Sequence, residues 1–201
     1  MLNFYLLKRI VKKLDAAREA GIITDREKLE QIFANYNLTD YRWIKASQIE
    51  VAHWVRFKCT FGCASYGKKG ACPPQVPSVE ECRAFFAEYR EAVIFHFAKK
   101  VDYPEDRVPW SREVNKALVK MEREVFRSGY HKAFMLCMDE CRFCDNCTGE
   151  RELCVNKEVA RPGPESLAVD LFNTVRSIGY PLEVLHSYDQ EMNRYAILLV
   201  E

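Results

Sequence analysis

Hydrophobic positions recur along this chain at two rhythms. Over residues 4–20, Leu7, Ile10, Val11 and Leu14 follow helical spacing and Gly21 ends the run. A second short helix is predicted after Thr24-Asp25, carrying Leu29, Ile32 and Phe33. From Tyr41 to Phe57 the texture turns to β, with Trp43, Ile44, Val51, Trp54, Val55 and Phe57. Ser78-Val79-Glu80-Glu81 reads as a capping box, in which serine and glutamate satisfy each other's orphan N–H groups. The helix it opens sets Val79, Cys82, Phe86 and Tyr89 on one face.

The remaining elements alternate. Residues 92–98 form an apolar strand, and Pro104 and Pro109 mark a loop. A long helix from Ser111 to Gly129 turns Val114, Leu118, Met121 and Val125 inward. Residues 133–138 read as a strand. After Arg161-Pro162-Gly163-Pro164 a helix carries Leu167, Leu171, Val175 and Ile178 to Gly179, and strands at 182–188 and 194–200 follow. This order predicts an α+β (or α/β) fold, a mixed sheet covered by helices. Residues 1–40 read as an N-terminal helical segment, and 41–201 as the main domain.

Charge narrows the function classes. The 30 basic side chains nearly balance the 29 acidic ones, so no global field draws the protein to nucleic acid or to an anionic membrane. The apolar run 2–7 is short and its basic residues Lys8, Arg9, Lys12 and Lys13 follow it, the reverse of a secretory signal. A cytoplasmic protein is expected, with a redox partner protein or a small molecule as its counterpart.

Nine cysteines are what composition leaves unexplained. In a reducing compartment they are poor material for a disulfide framework, and an odd number cannot all pair. They gather in two groups, each expected in a loop just after a strand. The second reads Cys141-x2-Cys144-x2-Cys147-x6-Cys154. Three thiolates at successive two-residue gaps let the chain step between corners of a cubane, with backbone N–H groups aimed at its sulfides. A structural zinc site more often uses two ligand pairs across a longer insert, so zinc fits less well. The first group reads Cys59-x3-Cys63-x8-Cys72-Pro73-Pro74, and a cysteine before proline recurs as the remote ligand in ferredoxins. Candidate ligands of one or two [4Fe-4S] clusters are therefore Cys59, Cys63, Cys72, Cys141, Cys144, Cys147 and Cys154. Cys82, on an inward helical stripe, reads as a core thiol. Cys137 ends an apolar strand yet lies four residues before Cys141, so core and ligand readings both stand. His53, His96, His131 and His186 make no metal-binding pair.

The stretch Trp54-x-Arg56-x-Lys58-Cys59-x3-Cys63-x2-Tyr66-Gly67-Lys68-x3-Cys72-Pro73-Pro74 resembles a family of cysteine-rich, predicted metal-binding proteins of unknown function from anaerobic bacteria and archaea. The later half is similar: Glu122-Arg123 and Gly129, the second cysteine group, then Arg161-Pro162 leading to Asp170 and Thr174. The resemblance covers roughly residues 50–180 and implies a metal, with iron–sulfur foremost, but no agreed reaction. The chain departs from that pattern at Asn156, where a proline is expected after Cys154, and at Gly163, where a small hydroxyl residue is more usual. Cys82 and Cys137 lie outside the pattern, which favours seven ligands over eight.

Three functions follow. The first is electron transfer through cubanes near the surface. The second is an enzyme whose three-cysteine cluster leaves one iron open for Lewis-acid or sulfur chemistry, with Tyr66, Lys68, Arg161 or Asp170 on substrate. The third is a structural zinc module. Asp170 and Thr174, one helical turn apart, could reach a cluster loop or simply cap local backbone.

Overall fold

A computed structural model describes residues 26–187 and 189–201. The helix expected over 4–20 lies outside the described residues. The chain divides after Thr39 into two compact units, each taken by itself. In the first, residues 26–35 form α1, with Leu29, Ile32 and Phe33 buried at helical spacing. It ends in a turn where the N–H groups of Tyr36 and Asn37 reach the Phe33 and Ala34 carbonyls.

The second unit is built on four strands: β1 (Tyr41–Lys45), β2 (Glu91–Lys99), β3 (Phe134–Leu136) and β4 (Met192–Leu199), in the order β1-β2-β4-β3. Every pairing is antiparallel, with Ile94 opposite Ile197 and Leu136 also opposite Ile197. The class is α+β, and the expected mixed sheet is corrected to an antiparallel one. Alternation of strands and helices along a sequence does not set strand direction; the end of the sheet to which each connection returns does.

The middle strands β2 and β4 are buried on both faces, which is why each reads as an apolar run. Ala92, Ile94, Tyr195, Ile197 and Leu199 form one core with Cys82 and Phe86 of α3 (Val79–Ala87) and Leu171 and Val175 of α5 (Leu171–Ser177). The alternate residues Val93, Phe95 and Leu198 are buried too, as are Leu118, Met121 and Val125 of α4 (Arg107–Arg127), which packs along β3. The capping box at Ser78 is formed: Glu81 N–H donates to Ser78 Oγ at 3.1 Å and Ser78 N–H to Glu81 Oε2 at 2.8 Å.

Four expectations are corrected. The β texture stops at Lys45, and His53–Gly62 is a helix, α2. Its apolar positions 54, 57 and 61 follow helical spacing, and Phe57 stacks on Phe61 one turn later. β-rich composition concealed that period. Cys59 therefore sits on a helix, and His53 begins one. α4 starts at Arg107, since Pro109 falls in its first turn, where no N–H donor is needed. The helix expected from 164 to 178 breaks: a 3₁₀ turn over Glu165–Leu167 ends at Ala168 in the left-handed region (φ 61°), and α5 starts afresh at Leu171. Residues 181–185 are irregular rather than a strand, and the Leu182 carbonyl accepts from the Arg176 guanidinium at 2.6 and 2.9 Å. Among the described residues, no helix is long and apolar enough to cross a membrane.

Candidate metal centre

The segment holding the second cysteine group is anchored from both ends. Asn115 of α4 is buried and closes both backbone groups of Met138: its amide donates to the carbonyl at 2.8 Å and its Oδ1 accepts the N–H at 3.1 Å. Cys137 N–H donates to the Pro162 carbonyl at 2.9 Å. Gly163 lies against the Asp139 carbonyl so closely that an added Cβ would stand 2.3 Å from it. The departure at Gly163 thus has a local reason, because any side chain there would push residues 137–139 away.

Between these anchors Cys141, Cys144, Cys147 and Cys154 line one cavity, with Gly70, Ala71, Asn156 and Ala160. Their sulfurs are met by donors. Gly70 N–H points at Cys147 Sγ at 3.5 Å, and Asn156 Nδ2 donates to Cys144 Sγ at 3.0 Å. Burial pushes the Cys141 thiol up, although N–H groups of Phe143 and Arg161 face it. At Cys147, burial also acts upward. There the N–H groups of Gly149 and Gly70, with the Lys69 charge, outweigh burial and hold the thiol below its ordinary value. That is the environment of a thiolate.

The first group lies between α2 and the 164–168 turn. Cys59 is on α2, Cys63 caps its end, and Cys72 is buried with its thiol 3.4 Å from Ser166 Oγ. Cys59 Sγ approaches the Glu165 carbonyl at 3.9 Å. Burial raises Cys72 to about 11, and Cys59 and Cys63 add like-charge repulsion; burial and then Cys63 raise Cys59. These three thiols are thus within electrostatic reach of one another. Residues 160–168 run beside both groups, presenting the Arg161 N–H to Cys141 and Ser166 to Cys72. At Gly70 the first group meets the second, because a Cβ there would stand 2.9 Å from the Glu150 carbonyl.

Cys82 and Cys137 stand apart. Each is 1% exposed, and burial raises both thiols, Cys137 furthest, with the Glu122 charge adding to it. The Arg161 side chain is held by Glu122: its Nε meets both Glu122 oxygens at 3.0 and 2.9 Å, and Glu122 also accepts the Met135 N–H. Asp170 caps α5, accepting from Asn173 N–H, and takes the Trp54 indole N–H at 3.2 Å; Thr174 Oγ1 accepts the Glu50 N–H. Both therefore serve local backbone and packing. Asn156 and Ser166 are not among the expected site residues. Of the two, Asn156 carries a sequence signal, as a departure from the resembled pattern.

Residues 42–200 match the model of the family described as predicted metal-binding protein (DUF2284). The chain belongs to that family. Metal binding is thereby supported for nearly all of the second unit, a wider span than the residues that first suggested it. No curated protein and no solved structure matches. No three His, Cys, Asp or Glu side chains among the described residues converge on a single ion position. Four of the thiols instead share one cavity, with N–H donors on three of the sulfurs.

Proposed function

We propose that this domain holds iron–sulfur clusters and works in electron transfer or redox chemistry. A [4Fe-4S] cubane would take Cys141, Cys144, Cys147 and Cys154, and a second cluster Cys59, Cys63 and Cys72. The observation that carries the reading is the cavity lined by four thiols, with Gly70, Gly149, Phe143, Arg161 and Asn156 presenting N–H groups to three of them. Such donors are a principal means by which a protein tunes a cluster. A bound cubane supplies one-electron transfer, and a cluster with an open corner adds a Lewis acid.

The chain's own residues supply the rest. Lys69 offsets negative charge at Cys147, and residues 160–168 keep the two groups adjacent. The near balance of charge supports a protein redox partner or a small molecule as counterpart, rather than nucleic acid or a membrane. Nine free cysteines support a reducing, cytoplasmic setting. The open-corner enzyme is the second reading, favoured by Cys59 and Cys63 of the first group lining a cavity.

Protein purified without oxygen is expected to be brown, with iron and acid-labile sulfide sufficient for two clusters and a paramagnetic signal on reduction. Cys147→Ser is expected to lose about half of the iron, one of two clusters, and Cys137→Ser none. Colourless protein with stoichiometric zinc would overturn the proposal.

A further inference from the structure

Three cavities of the second unit share walls. The first, of about 620 Å³, is lined by Trp54, Lys58, Cys59 and Cys63, and ends on Glu165, Leu171 and Phe172. Those last three residues also line a second, of about 360 Å³, which continues to Leu185 and Arg194. Leu185 and Arg194 then line a third, of about 470 Å³, with Arg107, His186 and Met192. Each is within the size range of ligand pockets. Joined, they make one groove from the first cysteine group to a pair of arginines.

The two ends differ in charge. Arg107 Nε and Arg194 Nε lie 3.7 and 3.5 Å from opposite oxygens of Asp139, and neither Nε makes a hydrogen bond among the described residues. Asp139 and Glu165, which acts on Arg194, face the second cavity, whereas the third is lined by both guanidinium groups and by no acid among the described residues, so positive charge is presented at this end. Glu165 and Glu183 line the middle and repel an anionic group from it. Between them run Leu171, Phe172 and Leu185. At the cysteine end Lys58 is engaged over the Trp54 ring at 5.3 Å.

We propose that this groove binds an elongated organic anion, its acidic group on Arg107 and Arg194 and its apolar body along Phe172 toward Cys59 and Cys63. The proposal rests on the iron–sulfur reading only for the chemistry at the cysteine end; binding itself needs no metal.

Titration calorimetry of the full chain, purified without oxygen, with the straight-chain carboxylates hexanoate, octanoate and decanoate tests it. One decanoate per chain is expected, with affinity rising roughly fourfold per added methylene and with decanol binding more weakly. Arg107→Gln and Arg194→Gln are each expected to weaken decanoate about tenfold or more, the loss of a charge-assisted hydrogen bond; Lys116→Gln, at an exposed position outside the groove, should leave it within about twofold. Absence of decanoate binding, an affinity flat with chain length, or equal binding by the arginine variants would overturn the proposal. A Lys116→Gln loss as large as that of the arginine variants would also overturn it, since the anion would then respond to overall charge rather than to this site. The chain-length series uses the unaltered protein and so does not depend on any variant folding. Iron and sulfide assays on the same samples report separately on the clusters: binding without iron sinks the cluster reading alone, and iron without binding sinks the groove alone.

Discussion

Asn156 is the residue at which sequence and structure inform each other most directly. As a departure from a resembled pattern it carried no chemistry; in the fold its amide donates to Cys144 Sγ at 3.0 Å. A donor to a cluster thiolate stabilises the reduced state, which carries more negative charge, so Asn156→Ala is expected to lower the midpoint potential while iron content holds. Anaerobic redox titration checks this, and an unchanged potential would remove Asn156 from the centre. The thiols divide by environment in the same way. Cys147, partly open and surrounded by donors, is held low, whereas Cys137, sealed in the core, is pushed up. Spacing in sequence exposed the repeated two-residue gaps. It could not expose this difference, because Gly70 and Lys69 reach Cys147 from the first group and the burial of Cys137 is set by tertiary packing.

Among the elements, α4 and β3 are tied by one buried charge. Glu122, 3% exposed, accepts from Met135 N–H and from Arg161 Nε, so helix, strand and the 160–168 segment meet at a single carboxylate. Glu122→Ala leaves a guanidinium and a backbone donor unsatisfied and is expected to cost roughly 3–5 kcal/mol in chemical denaturation. Glu122→Gln, which can still accept, should cost less; equal losses would mean that shape rather than hydrogen bonding matters there. Elements with a strong period or an explicit cap were legible beforehand: α3 with its capping box, the interior of α4, and β2 and β4. α2 was misread because Trp54, Phe57 and Phe61 have β propensity but helical spacing, and tertiary context decides between them. The break at Ala168 was invisible, since the left-handed conformation there falls on an alanine, which has no preference for it.

At the scale of the molecule, Asp40 joins distant parts of the second unit. It accepts from Tyr180 OH at 2.7 Å and pairs with His96 Nδ1 at 2.6 Å, where the chain enters β1. Burial acts to raise its carboxyl, but the Tyr180 bond, the His96 pair and Arg42 outweigh this and hold it below its ordinary value. A carboxylate depressed in the fold contributes stability that is present above its unfolded value of about 3.9 and is lost as pH falls through the lower folded one. The melting-temperature gap between the protein and Asp40→Asn should therefore close as pH drops below about 4. Calorimetry across that range checks it, and a gap unchanged at pH 3 would refute the assignment; with the side chain half exposed, the effect is modest. By itself, the sequence determined a sheet covered by helices, the two central strands, the two cysteine groups and the absence of a net charge field, because each is written in local spacing or simple counts. Only the tertiary structure decided the antiparallel pairing, the meeting of the two groups at Gly70, the donors on Cys141, Cys144 and Cys147, and the groove from Cys59 to Arg107. These depend on contacts between residues far apart in the chain, which no local pattern encodes.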